Sequence, residues 1–304
     1  MKKTLEKFFK RAEKFMTHVE ASLPGPLQAP NWEASIAFRY CKRNSGQSVL
    51  EAVRYRSQLA LNDIKMVDRQ KADIIRNTEQ FVQGQLANHV LLTGARGTGK
   101  SSLVKACLNA YANQGLRLIE VDKTDLIDLP ELIECVSERP ERFIIFTDDL
   151  SFEEGDGTYK VLKSVLDGTV SALSDNILIY ATSNRRHLLP EYLSENLSYR
   201  HTEDGEVHPG EVIEEKISLS ERFGLWLNFY PFSQDEYVVI VKQWLKHFGV
   251  DTTAPETAHE EALVWALERG SRSGRVAYQF ARDFAGRLGI KEKNNATPNK
   301  HQTH

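Results

Sequence analysis

The octet Gly94-Ala95-Arg96-Gly97-Thr98-Gly99-Lys100-Ser101 constrains this chain more than any other stretch. It follows an apolar run over 89–93 that reads as a buried strand. It opens a helical pattern over 102–112, with apolar residues at Leu103, Val104, Cys107, Leu108 and Tyr111. Strand, G-x-x-x-x-G-K-S loop and helix together make the phosphate-binding loop signature. Its glycines let successive backbone N–H groups turn toward one point, where side chains would block a phosphate. The helix start adds unpaired N–H groups and the positive end of its dipole. The pattern predicts a nucleoside triphosphate held by Gly94, Ala95, Arg96, Gly97, Thr98, Gly99, Lys100, Ser101 and Ser102. Lys100 would reach the β- and γ-phosphates, and Ser101 would hold Mg²⁺ through its hydroxyl.

The 304 residues are 41% hydrophobic and 27% charged, which suits a water-soluble globular chain of two domains, or of one nucleotide-binding core with attachments at both ends. A net charge of -3 offers no global basic excess for nucleic acid. Cys41, Cys107 and Cys135 are far apart and form no C-x-x-C pair. They fit neither a disulfide framework nor a zinc site and favour a reducing cytoplasm. No apolar run has the length of a transmembrane helix, and the N-terminus lacks the apolar core of a signal peptide.

Residues 1–60 read as a small helical N-terminal region. Leu5, Phe8, Phe9, Ala12, Met16 and Val19 recur at helical spacing opposite Lys3, Lys7, Lys10, Arg11 and Lys14. The simplest reading packs that apolar stripe on the fold; a membrane surface or a partner is the alternative. Prolines 24, 26 and 30 end this helix. Trp32, Ile36, Phe38 and Tyr40 are expected in the core, with the basic stretch 42–46 as a solvated turn. Helical spacing resumes through Val49, Val53, Leu59, Ile64, Val67, Ile74 and Ile75.

Beyond the loop and its helix, Gly115 reads as a C-cap and 116–121 as a second strand. Asp122-Lys123-Thr124-Asp125 has the look of a guanine-reading motif but precedes the acidic strand, the wrong order, and reads as a loop. A helix over 129–139 leads to an apolar strand over 143–149 that ends in two acids. At this distance after the loop it is a Walker B candidate: Asp148 would hold Mg²⁺ through its water shell, and Asp149 would orient or deprotonate the attacking water. A further apolar strand over 176–184 ends in Asn184, and ligands of open α/β sheets sit beyond such carboxyl ends.

In these pieces, GARGTGKS, FIIFTDDL, ILIYATSN, SERFGLWLNFY and GSRSGRV, the chain resembles the AAA+ ATPases over about residues 60 to 290. It is similar in particular to a bacterial AAA+ family catalogued only as a domain of unknown function. The resemblance implies that Asn184 is sensor 1 and that Arg222 is an arginine finger completing a neighbouring subunit's site, as in the branch-migration helicases of Holliday junctions. It also implies that Arg275 is sensor 2 on a helical lid, with Arg272 the near alternative. One departure is the Asp148-Asp149 pair, where AAA+ motors usually carry Asp-Glu. Aspartate is a methylene shorter, and a misplacement of about 1 Å costs on the order of 10²-fold in rate. The bacterial replication initiator, an AAA+ switch, also has two aspartates there, so ATP-gated switching with slow turnover stands beside hydrolysis. If Asp149 is not the base, Glu153 or Glu154 is next.

The expected architecture is a three-layer α/β P-loop core of AAA+ type with a parallel sheet over 61–230. An acidic insertion lies at 190–216, a helical lid at 231–290 and a disordered tail at 291–304. The insertion carries His201 and His208 among acids without metal-ligand spacing. The expected activity is Mg²⁺-dependent ATP hydrolysis in a homo-oligomer acting on a macromolecular target. A P-loop kinase is disfavoured by the finger and lid arginines.

Overall fold

The structure, a computed structural model, describes residues 11, 27–43, 46–54, 58–152, 156–168, 174–185, 188, 200–201, 207–208, 219–250 and 256–291. The expected basic helix (residue 11 apart), Glu153 and Glu154, most of the 190–216 stretch and the tail beyond residue 291 lie outside these residues. Two compact units emerge. The first comprises Met1–Leu61, Arg69–Thr93 and Ser101–Asn228; the second comprises Asn62–Asp68, Gly94–Lys100 and Phe229–His304.

The first unit is organised on a sheet. In chain order the elements are β1 (Ala37–Lys42), β2 (Ser48–Ala52), α1 (Asp68–Val82), β3 (Val90–Gly94), α2 (Lys100–Tyr111), β4 (Leu116–Glu120), α3 (Leu129–Val136), β5 (Arg142–Thr147), α4 (Gly157–Asp167), β6 (Ile177–Ser183), the two-residue strands β7 (Arg200–His201) and β8 (Val207–His208), and β9 (Leu225–Phe229). Seven strands pair in the order β2-β1-β4-β5-β6-β3-β9, and β7 and β8 pair separately. β1, β4, β5, β6 and β3 run parallel, while β2 returns antiparallel to β1.

Both faces of this sheet are covered, which is why β5 and β6 are almost continuously apolar rather than alternating. On one face Phe143, Ile145, Ile179 and Ala181 join Leu129, Leu132 and Val136 of α3, Leu162 of α4, and Trp32. On the other, the Tyr180 hydroxyl meets Thr78 Oγ1 (2.9 Å) and accepts from Asn77 Nδ2 (3.2 Å) of α1. Helix, sheet and helix make the three layers. Gly115 does cap the turn after α2, at φ 92°, and 123–128 is a short 3-10 turn that Asp122 caps through the Thr124 N–H.

The N-terminal region departs from the sequence expectation. Residues 37–42 and 48–52, including Val49 with its apparent helical spacing, form a β-hairpin, β1 and β2, rather than helix. Phe38 and Tyr40 point into the core at a period of two, 0% and 2% exposed, and β1 adds to β4 in parallel. A helix would have spread these aromatics around its axis.

The second unit holds α5 (Gln234–His247), α6 (Glu256–Glu268) and α7 (Gly274–Arg287). A capping box starts α5, with Ser233 and Glu236 exchanging side-chain and backbone hydrogen bonds. The helices close over Tyr237, Val241, Ala262, Ala277, Phe280 and Ala281.

Candidate functional site

In the first unit, β5 and β6 end side by side, with Thr147 opposite Ala181. One step further along lie Asp148 and Thr182, then Asp149, Ser183 and Asn184. Asp148 and Asp149 are exposed, whereas Thr182 is 2% exposed. Ser101 Oγ donates to Asp148 Oδ1 at 2.5 Å, and Thr182 Oγ1 donates to the same oxygen. Asp149 N–H donates to Thr182 Oγ1 (2.9 Å), and Leu150 N–H to the Thr182 carbonyl (2.7 Å). Asn184 Nδ2 donates to Asp149 Oδ1 at 2.5 Å. The three expected residues Asp148, Asp149 and Asn184 thus meet, and Thr182, which sequence reasoning did not single out, lies among them. Its signal was only a polar residue at an apolar strand's end.

Asp149 adopts φ 54°, the left-handed region. Aspartate and asparagine tolerate it better than other residues carrying a β-carbon. The acid pair therefore sits on a turned backbone, and Asp149 projects differently from a residue continuing the strand.

Arg222, the expected finger, forms an ion pair through Nε with Asp167 at the end of α4. Gly224, two residues on, passes so close to Asn88 that a β-carbon there would lie 2.3 Å from Asn88 Oδ1. Trp226 Nε1 then donates to Thr93 Oγ1 (2.8 Å), which donates to Asn228 Oδ1 (2.6 Å). The finger segment is thereby fastened to the end of β3.

In the second unit, the loop Gly94–Lys100 turns through positive φ at Gly94, Gly97 and Gly99. At Gly94 (φ 122°) no side chain fits, because a β-carbon would lie 1.9 Å from the Phe229 carbonyl oxygen. Ala95 N–H donates to that carbonyl at 3.1 Å. Thr98 Oγ1 donates to Ala95 O (2.8 Å). Lys100 is buried, and its ammonium donates to Gly94 O (2.8 Å) and Ala95 O (2.7 Å). A buried cation needs such acceptors, and these are ones a phosphate can replace. Gly274 N–H, opening α7, donates to Gly97 O at 2.8 Å, and Ser273 caps α7 through Val276 N–H. Arg275 is therefore one residue from a direct bond to the loop and is itself exposed on the first turn of α7; Arg272 is also exposed.

The chemistry of the first-unit donors is all oxygen: the Ser101 hydroxyl and an exposed Asp148 carboxylate. That set fits Mg²⁺, which prefers few protein oxygens and keeps several waters or phosphate oxygens. Among the described residues no three His, Cys, Asp or Glu side chains gather as a cage for a metal ion.

The sheet order, the glycine loop between β3 and α2, the acids ending β5 and the helices of the second unit match the AAA+ fold. Solved structures agree. A Thermotoga maritima RuvB mutant superposes with a TM-score of 0.52 at 17% identity, covering 79% of this chain and 70% of RuvB. The replication initiator DnaA bound to AMPPCP and single-stranded DNA gives 0.50 at 16% identity, covering 79% of this chain and 67% of DnaA. The family described as Protein of unknown function (DUF815) matches residues 33–288, and the chain belongs to that family. No curated protein matches its sequence.

Proposed function

We propose that this chain is an ATPase of AAA+ type that binds ATP with Mg²⁺ through Gly94–Lys100 and Ser101, and works as a homo-oligomer to remodel a macromolecular target. The observation that carries the reading is the contact of Ser101 with Asp148, the two residues that the loop motif and the acidic strand end assign to Mg²⁺. Ser101 and Asp148 would hold the Mg²⁺, which would supply positive charge against the phosphates. The chain's own residues do the rest. Lys100 exchanges the Gly94 and Ala95 carbonyls for phosphate oxygens. Asp149 accepts the proton of the attacking water, and Asn184 holds that carboxylate in place. Arg222 of one copy would serve the site of the next, and Arg275 the phosphates of its own chain. Widely spaced cysteines favour the cytoplasm, and no helix among the described residues is long and apolar enough to cross a membrane.

Among similar folds, the replication initiator DnaA binds single-stranded DNA. A net charge of -3 does not favour nucleic acid for this chain.

A second reading, an ATP-gated switch with very slow turnover, is favoured by two contacts. Asn184 is spent on Asp149, and Arg222 is engaged by Asp167 of its own chain. Steady-state turnover per subunit, measured across protein concentration for wild type and Arg222→Ala, separates the two. Turnover that rises with concentration and collapses in the variant supports the shared-site ATPase. Tight ATP binding with negligible turnover in both supports the switch. Lys100→Ala is expected to weaken ATP binding by about tenfold or more, the scale of a lost charge-assisted hydrogen bond; wild-type affinity in that variant would remove the loop from the site.

A further inference from the structure

We infer that Thr182 is a positioning residue that aims both acids of the candidate site, acting through Asp148 and Asp149 rather than on nucleotide. The inference rests on the nucleotide reading above and adds to it a residue that no motif marks.

The hydrogen-bond polarity fixes its role. Asp149 N–H can only donate, so Thr182 Oγ1 must accept there, at 2.9 Å. The hydroxyl has one proton, and it is left pointing at Asp148 Oδ1. Ser101 Oγ donates to that same oxygen, at 2.5 Å. Two hydroxyls on Oδ1 set the carboxylate's rotation and leave Oδ2 free of them. The Thr182 carbonyl meanwhile accepts from Leu150 N–H at 2.7 Å. A single residue on β6 therefore grips residues 148, 149 and 150 in succession, across the turn where Asp149 takes φ 54°.

Burial makes the grip rigid. Thr182 is 2% exposed, and its neighbours Ala181 and Ser183 are 0% and 1% exposed. Its backbone is held in the ladder opposite Leu92 of β3. A β-branched side chain has few rotamers in such a place, so the hydroxyl cannot swing away from the acids.

Threonine to valine keeps the shape and removes the hydroxyl; threonine to serine keeps the hydroxyl. Position 182 lies outside the phosphate loop. ATP affinity is measured with a fluorescent ATP analogue in excess EDTA and then in Mg²⁺, beside ATP turnover and the melting temperature of nucleotide-free protein. Thr182→Val is expected to keep the EDTA affinity and to lose about tenfold or more of the tightening that Mg²⁺ produces. Turnover should drop by about 10- to 100-fold, the usual range for a residue that orients a metal ligand. Thr182→Ser should recover both to within about threefold, with melting temperatures of both variants close to wild type. Wild-type Mg²⁺ dependence and turnover in Thr182→Val overturn the role. Equal losses in the valine and serine variants overturn it too, since packing rather than the hydroxyl would then be responsible. Wild-type protein with no Mg²⁺-dependent ATP affinity overturns the nucleotide reading itself, a result distinct from either of these.

Discussion

Asp149 stands in the left-handed region at φ 54°, a conformation that costs a residue with a β-carbon on the order of 1 kcal/mol. Its position in the motif was legible in the sequence; its backbone was not. Strand periodicity says nothing about the residue after the strand. The shortness of aspartate relative to glutamate is therefore only half of the comparison, because the carboxylate also leaves from a turned backbone. Asp149→Glu is expected not to raise turnover, since the longer chain would start along the same turned path. Asp149→Asn keeps the favoured backbone and can still accept from Asn184, but loses the charge. It should cut phosphate release by about 100-fold or more, as removal of a general base does, with ATP affinity within about threefold of wild type. Intact phosphate release in Asp149→Asn would move the base elsewhere in the chain. Thr182 marks the same limit of sequence reading: its importance lies in which strand end it faces, and that is a property of the sheet.

At the scale of elements, the strands of the central sheet were legible because each is a compact apolar run bounded by polar residues. The contact at their starts was not. Ile179 N–H donates to His89 Nδ1 at 3.0 Å, which ties β6 to the residue just before β3. That bond needs a neutral imidazole with a bare Nδ1. Burial disfavours the charged form and holds the pKa at about 4, down from 6.5. The sign follows. Below pH 6.5 the unfolded chain takes up a proton that the folded one refuses, so the folded state loses stability as pH falls from 6.5 toward 4. The loss attributable to this group is about 3 kcal/mol at most. Denaturant unfolding at pH 7 and pH 4.5 should show a smaller pH-dependent loss in His89→Gln than in wild type. Equal losses in both would mean that His89 contributes nothing to the pH dependence.

At the scale of the whole molecule, the hairpin ahead of the phosphate loop belongs to the core of the first unit. Trp32, 5% exposed, packs edge-on to Phe38 (4.7 Å) and to Phe143 of β5 (5.0 Å between centroids). Trp32→Ala is therefore expected to cost about 3 kcal/mol or more in global unfolding, as removal of a large core aromatic does. An unchanged unfolding midpoint by circular dichroism would make residues 27–54 a detachable attachment. The sequence reading put Trp32, Phe38 and Tyr40 in the core, as found, but missed the hairpin that carries two of them, because β1 finds its partners far along the chain. Short aromatic alternation with no neighbouring strand in view resembles the face of a helix. The pairing also bears on how the chain folds during synthesis. β1 pairs with β4, about 80 residues later, so at roughly 5–20 residues per second the hairpin waits about 4–16 seconds for the strand that seats it. Over that interval Trp32, Phe38 and Tyr40 have no core to enter, and a nascent chain arrested before residue 116 should present them to chaperones.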